Sequence, residues 1–334
     1  MIWLRQMATD ENLLGIYIPT YNRAMYLENL LNSIVREASS FGIPIFISDN
    51  ASNDQTMSVV EKFKSVYKSI EYVRNEYNIG PYENILKVMK VAGTEYVWVI
   101  GDDDAIKEGG ITTVVGELKN GYDYIVLNST VYNKTMNIVR SKKVIDCRTS
   151  RIYAEGQSEK LLLDLNKWGY NGFLSSMIIK RTLISDLVVK FRDSNFVLYG
   201  NYWLPLALFY EAIRNARGKF LCNPIIKSRD NPRISGDDYW KYMVSDRIKA
   251  VVYLQQIGYD IKILRKVLRI SLKGLLFLLV GARAYNPESK IYNQISDSEF
   301  IGFKMRMVVY LFDYLPQKFI LLLNDVIMKL KGNK

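Results

Sequence analysis

The sequence predicts a doubly wound α/β fold: a mainly parallel sheet flanked by helices, followed by a C-terminal helical extension. Three observations carry that prediction. Short apolar runs alternate with stretches of helical periodicity through the first half of the 334 residues. Unusual polar turns follow the apolar runs, where open α/β sheets bind ligands. Basic charge is concentrated late: residues 1–239 carry 29 Lys and Arg against 27 Asp and Glu, whereas residues 240–334 carry 16 against 7.

Taken in order, "LLGIYIPTYN" is a buried strand closed by a Pro-Thr-Tyr-Asn turn, and "AMYLENLLNSIVREAS" a helix with Leu27, Leu30, Leu31, Ile34 and Val35 on one face. "IPIFISDNAS" is a second strand with an acidic turn. "DQTMSVVEKFKSVY" starts a helix behind the cap Asp54. "IEYVRNE" is a third strand, leading through "YNIGPYEN" into the helix "ENILKVMKVAG", with Gly93 expected as its C-cap. "EYVWVIGDDD" and "YDYIVLNSTVYN" are the fourth and fifth strands. Further on, "GFLSSMIIKR" reads as a strand, "YWLPLALFYEAIRNA" as a helix interrupted early by Pro205, and "KFLCNPIIKSRDNPRISGDD" as a strand and irregular loop.

Composition narrows the chemistry. With no histidine, imidazole bases, Ser-His-Asp catalysis and His-ligated zinc are excluded, so proton transfer falls to a carboxylate before Lys, Tyr or Cys. The two cysteines, Cys147 and Cys222, indicate no disulfide framework and read as bystanders. No signal-peptide pattern opens the chain and no run is long enough to span a membrane, so a reducing, cytoplasmic location is expected.

Asp102, Asp103 and Asp104 follow the fourth strand directly. Buried carboxylates must be paired, hydrogen-bonded or metal-bound. Three at a strand end suit Mn²⁺ or Mg²⁺, which take one or two protein carboxylates plus substrate phosphates. The alternative is a solvated turn that caps the next element.

Together, "IYIPTYNR", "ISDNASNDQT", "NEYNIGPYENI" and "WVIGDDDAI" resemble the nucleotide-binding half of a family-2 glycosyltransferase of the GT-A (Rossmann-like) fold. Within that family the chain is similar to the abequosyltransferase-like bacterial enzymes that build surface polysaccharide such as O-antigen or capsule. The resemblance covers about residues 12–235, within an expected domain of residues 12–239 that has a donor half at about 12–130 and an acceptor half at about 131–239. It implies a metal-dependent, inverting transfer of a sugar from a nucleoside-diphosphate-sugar to a glycan or lipid-linked oligosaccharide. By the same resemblance Pro19, Thr20, Tyr21 and Arg23 lie in the loop around the nucleotide, Asp49 contacts the base, and Asn50, Ser52 and Asp54 complete its turn. Asn78, Gly80 and Asn84 match a nucleotide-side loop, Asp102 and Asp103 the nucleotide-sugar, and Asp103 and Asp104 the metal.

Two departures stand out. Gly101 replaces the first aspartate of the family's "D-x-D-D". Asn201 and Tyr202 stand where many members carry Glu-Asp, so the expected base is missing from its place. Asp193 and Glu211 are then the candidate catalytic bases, with Asp237 and Asp238 behind them. Arg229, Asp230, Asn231 and Arg233 are candidates for holding a diphosphate or the acceptor, or for a salt-bridged loop. Tyr199 and Trp203 can stack on a sugar or pack in the core, and Trp98 is expected in the core.

In the region 240–334, Lys262, Arg265, Lys266, Arg269 and Lys273 share one helical face opposite Ile263, Leu264, Val267, Leu268, Ile270, Leu275 and Leu276. Such a helix suits the cytoplasmic face of an anionic inner membrane, or packs as an ordinary helical subdomain. Competing readings are a sugar nucleotidyltransferase, which would open with a glycine-rich loop that "PTYNRAMYL" lacks, a degenerate homologue without turnover, and a nucleic-acid binder. The last leaves the three carboxylates unexplained, so no nucleic-acid partner is expected.

Overall fold

The computed structural model describes residues 10–165, 173–193, 198, 200–201, 203–230, 246–268, 280, 283–284 and 303–332. These belong to two compact units. The first comprises Met1–Tyr199 with Leu208–Asn231, the second Gly200–Ala207 with Pro232–Lys334.

The first unit opens with a short helix α1 (Asp10–Leu13), then β1 (Leu14–Thr20), α2 (Ala24–Ser40), β2 (Ile45–Asp49), α3 (Thr56–Val66), β3 (Ile70–Arg74), α4 (Pro81–Lys90) and β4 (Tyr96–Val99). It continues with β5 (Ala105–Ile106), α5 (Gly110–Leu118), β6 (Tyr124–Tyr132), β7 (Val139–Ser141), β8 (Arg151–Tyr153) and α6 (Ser158–Asp164). After a 3₁₀ turn at Leu174–Ser176 come β9 (Met177–Lys180), α7 (Arg181–Phe191), α8 (Leu204–Ala212, whose residues up to Ala207 belong to the second unit) and β10 (Gly218–Arg229).

The strands form one sheet in the order β3-β2-β1-β4-β9-β6-β10-β5, with β7 on β6 and β8 on β10. Pairings β3-β2-β1-β4 and β6-β10 are parallel. β9 is antiparallel to both β4 and β6, so it joins two parallel groups that run the same way. The apolar runs suit strands covered on both faces: β2 is buried throughout, and β1 throughout except Pro19. Leu27, Leu30, Leu31 and Ile34 of α2 are fully buried with Ile16, Ile18, Ile45 and Ile47. At Gly218 a Cβ would meet the Tyr124 ring at 2.2 Å, so the start of β10 needs glycine.

Several expectations change. Gly93 is not a cap, because α4 starts early, at Pro81 behind a left-handed Gly80 (φ 88°), and ends at Lys90. Only Met177–Lys180 of "GFLSSMIIKR" is strand. Pro205 does not interrupt α8; it sits in the first turn, where its missing N–H has no helical partner to lose. Cys147 and Cys222, 75 residues apart, are bonded as a disulfide, so they are not bystanders. The packing of β10 beside the segment after β7 brings them together, and sequence distance gives no warning of it.

The second unit is helical. Its described helices are Arg247–Gln256, Ile261–Leu268, Phe303–Asp313 and Gln317–Gly332. Asp260 caps Ile261–Leu268 by accepting from the Lys262 N–H at 2.5 Å, and Arg247 donates to the Val267 carbonyl at 2.6 Å. Lys262, Arg265 and Lys266 are exposed while Leu264 and Val267 are buried, as the amphipathic pattern requires. Arg269, Ile270, Lys273, Leu275 and Leu276 lie outside the described residues.

Candidate active site

Because β1 to β4 are parallel, Thr20, Asp49, Arg74 and Val99 end at one sheet edge. The turn from β4 holds Asp102, Asp103 and Asp104, only 4%, 1% and 2% exposed. The solvated-turn alternative therefore does not hold. Asp102 accepts from the Thr20 hydroxyl at 2.8 Å and from Arg23 at 3.0 Å, and the Arg23 guanidinium also lies 3.7 Å from Asp103. One arginine at the start of α2 thus serves two carboxylates.

Asp104 faces the other way. It accepts from the Ser175 hydroxyl at 2.5 Å and from the Arg229 backbone N–H. Ser175 in turn accepts from the Gly101 N–H at 2.9 Å, and its carbonyl takes the indole N–H of the fully buried Trp98. Burial pushes the Asp104 carboxyl up to about 7, against the lowering pull of those hydrogen bonds. The Arg229 side chain donates to the Asp103 carbonyl at 3.1 Å and to the Lys134 carbonyl, and lies over the Tyr26 ring at 4.6 Å. Arg229 braces the carboxylate turn from β10.

Across the edge, Asp49 is 1% exposed and accepts from the Ser52 N–H and hydroxyl and from Tyr72 at 2.5 Å, with Arg74 at 3.8 Å. The Asp49 carboxylate pushes the Tyr72 hydroxyl up, in addition to burial. Ala51 takes φ 64° and Asn22 φ 50°, so the turns after β2 and β1 are both left-handed. The two turns interlock: the Asn22 N–H donates to Ser52, the Asn53 N–H to Asn22, and the Ala24 N–H to Asp54. Asp54 also accepts from the Thr56 N–H and hydroxyl, but the cap position of α3 is Gln55, so Asp54 is not the cap expected of it.

Asn50 accepts from Asn75 at 3.0 Å and from the Ile79 N–H at 2.9 Å, and donates to Asn78 and the Gly80 carbonyl. Asn84 is 2% exposed and spends its amide on the Ser48 hydroxyl and carbonyl. Asn78, Gly80 and Asn84 are thereby tied to the turn after β2. Pro19 is the penultimate residue of β1, and Tyr21 is exposed in the turn beyond it.

The structure brings Thr20, Arg23, Asp102 and Asp103 into direct contact. It places Asp193 and Glu211 elsewhere: the Asp193 N–H bonds the Lys190 carbonyl at the C-terminal end of α7, and Glu211 on α8 pairs with the Lys190 ammonium at 2.8 Å. Arg192 pairs there with Glu83, in the first turn of α4. In the second unit, Asn201 is buried and holds the Asp246 carbonyl at 3.0 Å and the Trp203 N–H at 2.7 Å. Its amide is structural. Trp203 is buried with Arg247 over its ring, which favours core packing. Tyr199, Tyr202, Asn231, Arg233, Asp237 and Asp238 lie outside the described residues. Sequence reasoning missed Ser175 and Tyr72; a lone serine before a strand and a strand tyrosine carry no signal of their own.

Known proteins are similar to this chain. The profile of "Glycosyl transferase family 2" matches residues 15–183, just over half of the chain. An abequosyltransferase, RfbV, of Salmonella typhimurium is 32% identical over 176 residues, 51% of this chain and 53% of the relative. The GalNAc(5)-diNAcBac-PP-undecaprenol beta-1,3-glucosyltransferase of Campylobacter jejuni is 30% identical over 119 residues, 35% of this chain and 38% of the relative. The chain thus spans about half the length, or less, of these curated relatives. Among solved structures, S. aureus TarS 1-349 in complex with UDP-GlcNAc superposes with a TM-score of 0.61 at 15% identity, covering 90% of this chain and 88% of that one. That likeness shows the fold, which is GT-A. The chain belongs to glycosyl transferase family 2.

Proposed function

We propose that this chain is a metal-dependent, inverting glycosyltransferase that moves a sugar from a nucleoside-diphosphate-sugar to a glycan or lipid-linked oligosaccharide in bacterial surface-polysaccharide synthesis. The observation that carries it is the buried Asp102–Asp104 turn at the parallel-strand edge, beside Thr20 and Arg23 and across from Asp49. Names of relatives support the substrates: RfbV is an abequosyltransferase, TarS was solved with UDP-GlcNAc, and the Campylobacter relative is named for a PP-undecaprenol-linked acceptor.

The buried Asp103 and Asp104 carboxylates are the residues that would hold Mn²⁺ or Mg²⁺. Among the described residues no group of three or more Asp, Glu, Cys or His is arranged to hold a metal. Two adjacent carboxylates, Asp103 and Asp104, suit a hard cation that completes its oxygen shell from a diphosphate. A cation held by Asp103 and Asp104 would neutralise charge on the departing nucleoside diphosphate. In this reading Asp102, held by Thr20 and Arg23, contacts the ribose, and Asp49 contacts the base. In the reaction the acceptor oxygen bonds to the anomeric carbon as the bond to the diphosphate breaks on the opposite face. The acceptor proton passes to a carboxylate, Asp193 just past α7 or Glu211 on α8.

Peripheral attachment to the cytoplasmic face of an anionic inner membrane belongs to the same reading. Among the described residues no helix is long and apolar enough to cross a membrane. Met307, Tyr310, Leu311 and Tyr314, at helical spacing, are exposed in the second unit, as are Phe319, Leu322, Leu323 and Val326.

The test is thermal stability with UDP, GDP, CDP and dTDP, each with and without Mn²⁺. Stabilisation by one diphosphate only with metal, lost in Asp103→Asn, is the expected outcome. No response to any diphosphate, or a response indifferent to metal, would overturn the reading.

A further inference from the structure

A second charged cluster lies further along β10 and has the opposite sign. Lys107, just past β5, donates to the Thr130 hydroxyl of β6 at 2.7 Å. Thr130 is the register partner of Lys227 on β10, so those two side chains share a face of the sheet. Lys143 is drawn to the same place from the segment after β7, where the Val144 N–H bonds the Ser129 carbonyl at 3.0 Å and Thr130 donates to the Lys142 carbonyl.

All three lysines are half-buried, yet their partners are neutral. Lys107 has a hydroxyl, Lys143 has the Cys147 carbonyl and the Cys222 sulfur, and Lys227 has no hydrogen bond or ion pair among the described residues. Burial lowers the Lys107 pKa, and the charges of Lys227 and Lys143 lower it further, so the cluster repels itself. The surrounding chain adds to this: residues 134–151 hold six Lys and Arg against Asp146 alone.

Charges gathered without a counter-charge cost stability in the free chain, and an anion relieves them. Arg229, two residues beyond Lys227 on the same strand, braces the Asp103 carbonyl, so the cluster begins about 7 Å along β10 from the carboxylate turn. The carboxylates themselves repel a phosphate except through a metal. A phosphoryl group held by the lysines is therefore a different one from the donor diphosphate.

We infer that Lys107 and Lys227 at Thr130, with the Lys143 charge beside them, form an anion site that holds a phosphoryl group of the acceptor. The assignment to the acceptor rests on the transferase reading; the anion site itself does not.

The experiment is calorimetric titration of the full chain with inorganic pyrophosphate at low salt in EDTA, where the carboxylate turn has no metal through which to hold it. The expected result is binding that weakens about tenfold or more in the Lys143→Gln/Lys227→Gln double variant, persists in Lys227→Arg, and is unchanged in Lys62→Gln, a lysine paired with Glu28 on α2. The ligand-free double variant should also melt no lower than the parent, since it loses repulsion; lysines with a merely structural role would lower the melting temperature. No pyrophosphate binding by the parent, or equal binding by the double variant, would overturn the site. Pelleting with phosphatidylglycerol vesicles separates the sources of phosphate. Unchanged pelleting of the double variant supports the acceptor, and lost pelleting overturns that assignment in favour of a lipid headgroup. Because metal is chelated throughout, a failure of the metal–diphosphate reading leaves this result standing, and the reverse holds too.

Discussion

Asp104→Asn should make the metal-free protein more stable at pH 8 while leaving it about equally stable at pH 4. The Asp104 carboxyl is 2% exposed, and burial raises its pKa from 3.8 to about 7, with Asp102 adding to the rise. At ~1.4 kcal/mol per pKa unit, ionising it in the folded chain costs about 4 kcal/mol. The folded state binds more protons than the unfolded state between pH 3.8 and about 7. This group's stabilising contribution is therefore fully present below about pH 3.8, is lost as pH rises to about 7, and is gone above it. An asparagine stays neutral, keeps an oxygen for the Arg229 N–H and offers an amide to Ser175. Urea unfolding in EDTA from pH 4 to 8 should show the parent losing stability relative to the variant across that window, ending roughly 2–4 kcal/mol below it. Adding Mn²⁺ at pH 8 should restore the parent and not the variant. Parallel pH profiles, or a variant less stable at pH 8, would refute the account of Asp104 as a desolvated carboxylate awaiting a cation.

Two further changes probe the opposite side of the edge. Tyr72→Phe removes a donor from the buried Asp49 carboxylate and should cost about 1–3 kcal/mol in urea unfolding, with weaker nucleoside diphosphate binding in the thermal-shift panel. Ala51→Gly relieves a left-handed alanine at φ 64°: the conformation costs ~1–2 kcal/mol, the added freedom of glycine when unfolded returns ~0.5–1, and a net gain of about 0.5–1 kcal/mol should appear as a higher urea midpoint.

Much of the first unit was legible because the signals are local. The apolar runs of β1, β2 and β4 and the Leu27-Leu30-Leu31-Ile34 face of α2 record, residue by residue, the side that must leave water. Misreadings occurred where a remote neighbour or a turn decides. α4 starts at Gly80–Pro81 and ends before Gly93, and β9 is a four-residue strand whose direction is set by β4 and β6 on either side. The Cys147–Cys222 bond spans 75 residues, and nothing near either cysteine announces it.

By itself the sequence determined the alternation that builds a parallel sheet, and hence that the turns holding Thr20, Asp49 and Asp102–Asp104 share one edge. It also determined, by omitting histidine, that any general base is a carboxylate or a weaker substitute. Only the tertiary structure decided what each carboxylate does. Asp102 is held by Thr20 and Arg23 from about 80 residues away, whereas Asp104, two positions on, turns to Ser175 and to the Arg229 backbone. Three identical residues in a row carry no information about their separate surroundings. The placement of distant donors makes one the partner of an arginine, and desolvation raises the pKa of another to about 7; both arise only when the chain is packed.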